Sequence, residues 1–292
     1  MSLRSNLVRC SERPLRSKCL TNVEFDLKLD PEGDGLPPDC STEIISNAGV
    51  ELFTYLKQVG STNSYALQQL ATRNVNGAWL VLAELQTAGR GRGENRWWSE
   101  GGALTFSLVV DAEHLALPQS HWPRLSMAIG LAICQLLEQP PWGLPMQLKW
   151  PNDIYVGGRK LGGILVEHLG SKLVIGIGLN VNSQLDRAPQ DVQMRATSLR
   201  VEMKAECCAA SLLIDTVKAV LATLPQVARE EIDFAHEAGQ RSYLQWKRVA
   251  IQQGQLKTEG ICAGIDGDGA LLVRTDSGLM RVLSGTVEIA GK

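Results

Sequence analysis

The apolar residues of this chain come in short blocks, and that limits what it can fold into. Trp79–Leu85 (WLVLAEL), Ala103–Val110 (ALTFSLVV), MQLKW ahead of Pro151, Ile164–Leu169 (ILVEHL) and Leu173–Asn182 (LVIGIGLNVN) are each of strand length, and turn-forming or polar residues separate them. Such runs read as buried strands. Two stretches instead repeat at 3.6 residues. Residues 124–138 align Leu125, Ala128, Ile129, Ala132, Ile133, Leu136 and Leu137, and residues 205–225 align Leu212, Leu213, Thr216, Val217, Val220, Leu221 and Leu224. Both predict helices with one buried face. A shorter capped helix is expected after Ser61-Thr62-Asn63. After Ala238, short runs alternate with Gly and Asp turns, which predicts a small antiparallel β domain. The expected class is α+β: a mixed β-sheet packed by helices, followed by a small β-barrel.

At 292 residues the chain has room for two domains. The expected division is 1–47, an extension; 48–238, a sheet-and-helix domain; and 239–292, the β domain. The first twenty residues carry five basic residues, one acidic residue and four serines. A disordered extension or an early start codon is the first reading, and an organelle-targeting segment the second. Residues 24–43, rich in Pro, Gly and acid, read as linker. There are 29 Lys+Arg against 31 Asp+Glu, which excludes an all-over nucleic-acid binder but not one local basic loop. No run of 18 apolar residues predicts a membrane span. Seven cysteines without a C-x-x-C, and four histidines, predict neither a disulfide framework nor a zinc site. Incidental thiols in a reducing, cytoplasmic setting are expected.

Several blocks could carry chemistry. Gly89-Arg90-Gly91-Arg92-Gly93 offers close backbone approach and two forked cations, suited to a phosphate or carboxylate. It is neither a Walker A loop nor a G-x-G-x-x-G turn. Arg96-Trp97-Trp98-Ser99 reads as a strand entry with the two indoles on opposite faces, so one of them is free for stacking. Lys149-Trp150-Pro151-Asn152-Asp153 places a cation at the end of an apolar strand, where it is costly unless an anion neutralises it. Lys160-Leu161-Gly162-Gly163 and Gly176-Ile177-Gly178 mark close approach to a strand, and the second keeps one strand face open. Asp266-Gly267-Asp268-Gly269 has its glycines in the wrong place for a calcium loop and reads as a hairpin turn.

In this order, S-T-N at 61–63, Q-T-A-G-R-G-R at 86–92, Trp97, K-W-P-N-D at 149–153, K-L-G-G-I-L-V-E at 160–167 and G-L-N-V-N at 178–182 closely resemble the biotin protein ligases. The resemblance covers about residues 50–290. It implies a fold of the class II aminoacyl-tRNA synthetase and biotin ligase kind with an SH3-like C-terminal domain. It implies activation of biotin with ATP and Mg²⁺ to biotinyl-5′-AMP. Biotin then passes to one Lys of a biotin carboxyl carrier protein or domain. By position, Ser61, Thr62, Asn63, Gln86, Gly89, Arg90, Gly91, Lys149 and Gly163 fall to biotin. Arg92, Trp97, Lys149, Asn152 and Asn180 fall to ATP and the adenylate. Lys149, Arg90 and Arg92 are the catalytic set, and no metal ligands are assigned. Bacterial members commonly read G-R-G-R-R-G-R; Gly93-Glu94-Asn95-Arg96 here resembles the eukaryotic holocarboxylase synthetases. No helix pair precedes the match, so no DNA binding is expected, and the protein is expected to be a monomer or homodimer. A lipoate–protein ligase and a non-catalytic biotin or nucleotide sensor are the alternatives.

Overall fold

A computed structural model describes residues 28–31, 33–35, 46–99 and 101–290. The segment at 1–20, read as an extension, lies outside these, as does most of 24–43. The described part of the expected linker is loop except at its start. Lys28–Leu29 forms strand β1, paired in parallel with β2 (Leu52–Val59) at the edge of the large sheet. The next residue explains it. Asp30 is buried, accepts from Thr54 Oγ1 at 2.6 Å and pairs with Arg73 at 2.6 Å, while Asp34 accepts from Lys57 N at 2.8 Å, so two of the acidic residues here anchor the segment to the sheet.

The large sheet continues with β3 (Trp79–Gln86), β4 (Ala103–Asp111), β5 (Met146–Lys149), β6 (Asp153–Val156), β7 (Arg159–Leu169) and β8 (Lys172–Asn180). Its order is β1-β2-β3-β4-β8-β7-β6-β5, parallel from β1 to β3 and antiparallel thereafter. Both faces are covered. Helix α1 (Thr62–Leu70) packs with Trp79, Val81, Ala83, Val109 and Val174 on one face. On the other, α2 (Leu125–Glu138) and α5 (Ala209–Ala228) pack over Leu80, Leu82, Phe106, Leu108, Ile175 and Ile177. Double coverage is why these strands read as unbroken apolar runs. By length and hydropathy α5 could cross a membrane; here its Leu212, Leu213, Val217, Val220 and Leu224 are buried in the core.

Short helices α3 (Gln190–Arg195), α4 (Leu199–Met203) and α6 (Phe234–Gln240), which periodicity is too brief to reveal, complete the larger unit. A second, wholly antiparallel sheet follows, in the order β12-β11-β10-β9-β13, built from β9 (Arg248–Gln253), β10 (Leu256–Ile265), β11 (Leu271–Thr275), β12 (Gly278–Val282) and β13 (Thr286–Ile289). The Asp266–Gly269 turn is closed by its own chemistry: Asp266 accepts from the amides of Asp268 and Ala270 at 2.9 Å each. The same turn touches the larger unit, since Trp150 Nε1 donates to Gly269 O at 3.0 Å.

Candidate active site

Sheet register brings the singled-out blocks together. Lys149 pairs with Asp153, Asp153 with Gly163, Gly163 with Gly178, and Gly178 with Thr105. Directly paired residues point to the same face, so these residues form one row across five strands. The next row holds Leu165, Gly176 and Ser107. Both rows lie on the α1 face, and their Lys149, Asp153, Gly163, Gly178, Leu165 and Gly176 floor a cavity of about 330 Å³. Ser61, Thr62, Asn63, Gln86, Arg90, Gly91, Arg92, Trp97, Lys149, Asn152, Gly163 and Asn180 all line it. Gly89 does not. A Cβ there would strike the Trp97 carbonyl, so its place is in the backbone pairing behind the wall.

One wall is neutral and internally bonded. Ser61 caps α1, accepting from Ser64 N at 3.5 Å. Thr62 N donates to Gln86 Oε1 at 2.8 Å, which leaves the Gln86 –NH₂ as the group this side chain offers the cavity. Ser107 Oγ lies 2.7 Å from Thr62 Oγ1 and 2.6 Å from Asn63 Oδ1. Asn63 Nδ2 donates to Leu165 O at 3.2 Å and Glu167 Oε2 at 2.9 Å. Asn63 can sit there because Gly176 has no Cβ to meet its amide.

The Gly/Arg block is a small hairpin, with Arg90 bridged to Arg96 and Gly91 N donating to Asn95 O at 2.8 Å. It does not lead into a strand. Residues 97–99 are irregular and β4 begins at Ala103, so the strand premise behind opposed Trp faces fails, and both tryptophans line the cavity. Trp97 lies on Gly178, where a Cβ would meet the indole at 2.5 Å. The open strand face inferred from G-I-G is therefore filled by the protein's own Asn63 and Trp97.

The opposite wall is cationic. Among the described residues Lys149 makes no hydrogen bond or ion pair; its Nζ stands 6.0 Å from the Tyr155 ring centroid. Burial pulls its pKa below the ordinary lysine value, and Asp153 opposes that in part. Burial does the same to Arg92, again against Asp153. Asp153 itself is held by Lys160 at 2.6 Å. Arg90 is also spent: it pairs with Glu167 and donates to Ser64 Oγ at 3.0 Å. Among the described residues, the cations left over on this cavity are thus Lys149, Arg92, Arg96 and Arg195, with Asp191 and Glu288 as unpaired carboxylates at its edge.

Asn152 and Asn180 turn out to be braces. Asn152 Nδ2 donates to Ile164 O at 2.8 Å and Asn180 Nδ2 to Thr197 O at 3.0 Å. Sequence reasoning missed Ser107, Arg195 and the Gly285–Glu288 edge of the small domain, and it quoted Lys160 and Glu167 within their block without giving either a role; of these Lys160, Arg195 and the small-domain edge line the cavity. The available signals among these were a serine inside the apolar run ALTFSLVV and the two charges that end the K-L-G-G-I-L-V-E block.

Residues 55–182 match the biotin/lipoate A/B protein ligase family, and 247–289 match the biotin protein ligase C terminal domain. The bifunctional ligase/repressor BirA of Bacillus spizizenii is 31% identical over 249 residues, covering 80% of this chain and 73% of that protein. The biotin–[acetyl-CoA-carboxylase] ligase of Paracoccus denitrificans is 30% identical over 257 residues, covering 81% of this chain and 100% of that protein. Among solved structures, the Aquifex aeolicus biotin protein ligase in complex with biotin and ATP superposes with a TM-score of 0.68 at 27% identity, covering 82% of this chain and 99% of that one. Fold, site blocks and relatives agree, and this chain belongs to the biotin protein ligase family.

Proposed function

We propose that the cavity is where this ligase joins biotin to ATP and from which it hands biotin on. The observation that carries this is the pairing of a neutral, hydrogen-bonded wall with an unspent cationic wall across one cavity. Biotin brings a polar neutral ring system and a carboxylate. The wall of Ser61, Thr62, Asn63 and Gln86 suits the first, and the cations suit the second. A carboxylate oxygen attacks the α-phosphorus of ATP, the α–β phosphoanhydride bond breaks, and pyrophosphate leaves. Two anions must meet for this step, and Lys149 and Arg92 offset their repulsion with charges fixed in advance. The acceptor lysine amine then attacks the acyl carbon, AMP leaves, and the amine gives up its proton.

Trp97, whose Nε1 is buried without a partner, offers the adenylate its ring rather than a hydrogen bond. Asn152 and Asn180 act through the segments they brace. Among the described residues no three His, Cys, Asp or Glu side chains gather to hold a metal. Mg²⁺ would enter with the triphosphate and, when bound, would withdraw charge from the phosphates. The relative named as an acetyl-CoA-carboxylase ligase supports a biotin carboxyl carrier domain as acceptor.

The test is incorporation of labelled biotin into an apo carrier domain, with lipoate in a parallel tube. ATP-dependent labelling of one lysine by biotin supports the proposal. Labelling by lipoate alone, or by neither, overturns it.

A further inference from the structure

Among the described residues, Glu167 is the one carboxylate that hydrogen-bonds both the Gly/Arg hairpin and α1. Its Oε1 accepts from Arg90, and its Oε2 accepts from Asn63 Nδ2 at 2.9 Å. Arg90 also holds Ser64, the second residue after Thr62 in α1, at 3.0 Å. Asn63 is meanwhile fixed at its other end by Ser107 at 2.6 Å. One carboxylate therefore ties a hairpin on the rim to a side chain of the neutral wall. The hairpin's inner end is held differently, by the Trp97 indole lying on Gly178. At the rim the Arg90 side chain is 42% exposed, so it stands at the outer edge of the closure. Only a carboxylate can do this. A glutamine has one acceptor oxygen and two N–H groups that would face the donors of Arg90 and Asn63.

We propose that Glu167 is a positioning residue: by accepting from Arg90 and Asn63 at once it latches the 89–97 hairpin over the cavity and sets how long the acyl adenylate is held. This rests on the cavity being the adenylate site. It also separates Arg90 from Arg92, the first serving closure and the second charge. Acyl adenylates hydrolyse once water reaches them, so closure matters as much as catalysis.

The test forms labelled biotinyl-adenylate on the full-length protein, removes pyrophosphate enzymatically, and follows loss of label from the protein. Glu167→Gln should speed that loss about tenfold, the weight of one charge-assisted hydrogen bond. The biotin KM of pyrophosphate exchange should rise in step, with kcat falling less. Arg90→Gln, on an exposed side chain, should do the same, and the double variant should lose label no faster than the faster single. Unchanged retention in either single variant, or multiplicative effects in the double, would overturn the latch. Should the wild-type protein form no adenylate, the site reading fails instead, which is a different result.

Discussion

The two walls of the cavity spend their polar groups in opposite ways. On the α1 side Ser61, Thr62, Asn63, Gln86 and Ser107 bond to each other or to nearby backbone before any ligand arrives. On the β5–β6 side Lys149 and Arg92 are partly buried and have no counter-ion of their own. The neutral wall therefore stabilises the fold whether or not ligand is present, because its polar groups, the Gln86 –NH₂ excepted, already have partners. The cationic wall weakens the fold slightly and is relieved by an incoming anion. One wall is a template for shape; the other holds charge ready for a reaction.

The largest effect should come from the cationic wall. Lys149→Ala should slow biotin-dependent pyrophosphate exchange by about 100- to 1,000-fold, the range for removing one preorganised transition-state contact. Its melting temperature should stay level or rise, because an unpaired buried charge has gone. Next is the join between the walls. Gly178→Val places a side chain where the Trp97 indole lies, and overpacking of this kind costs about 1–3 kcal/mol. Thermal melts should show that loss, and the ATP KM should rise more than the biotin KM.

Ser107→Ala tests the neutral wall. It removes a shared partner of Thr62 and Asn63 and should cost about 1–2 kcal/mol. Titration calorimetry should show weaker biotin binding. The smallest effect is on pH. Lys149 is held below its ordinary value by burial, so its charge is lost at a lower pH than for a free lysine. Exchange should fall on the alkaline side below the usual lysine range, and Lys149→Arg should move that limb upward. For stability the sign is the reverse. The unfolded chain binds more protons between the folded and unfolded values, so stability rises with pH across that window.

Much of the frame was legible because its rules are local. Trp79–Gln86, Ala103–Asp111 and Leu125–Glu138 fall where apolar runs and periodicity place them. Strand β1 was not, since Lys28 and Leu29 hold their place through Asp30 and a pairing with β2 far along the chain. The site divides the same way. Lys149 and Arg92 announced themselves as charges in unusual company. Ser107 and Glu167 did not, because their roles exist only once the β4–β8 and β7–β8 registers set them beside Asn63. The two tryptophans were misread because strand alternation was assumed where the chain is irregular.

Pyrophosphate exchange measured across biotin concentrations, on the wild type, Lys149→Ala and Ser107→Ala, tests the division of labour most directly. The account predicts that Lys149→Ala lowers the rate at saturating biotin. Ser107→Ala should instead raise the biotin concentration needed for half that rate and largely keep the maximum. The same pattern in both variants, or full activity in Lys149→Ala, would contradict it.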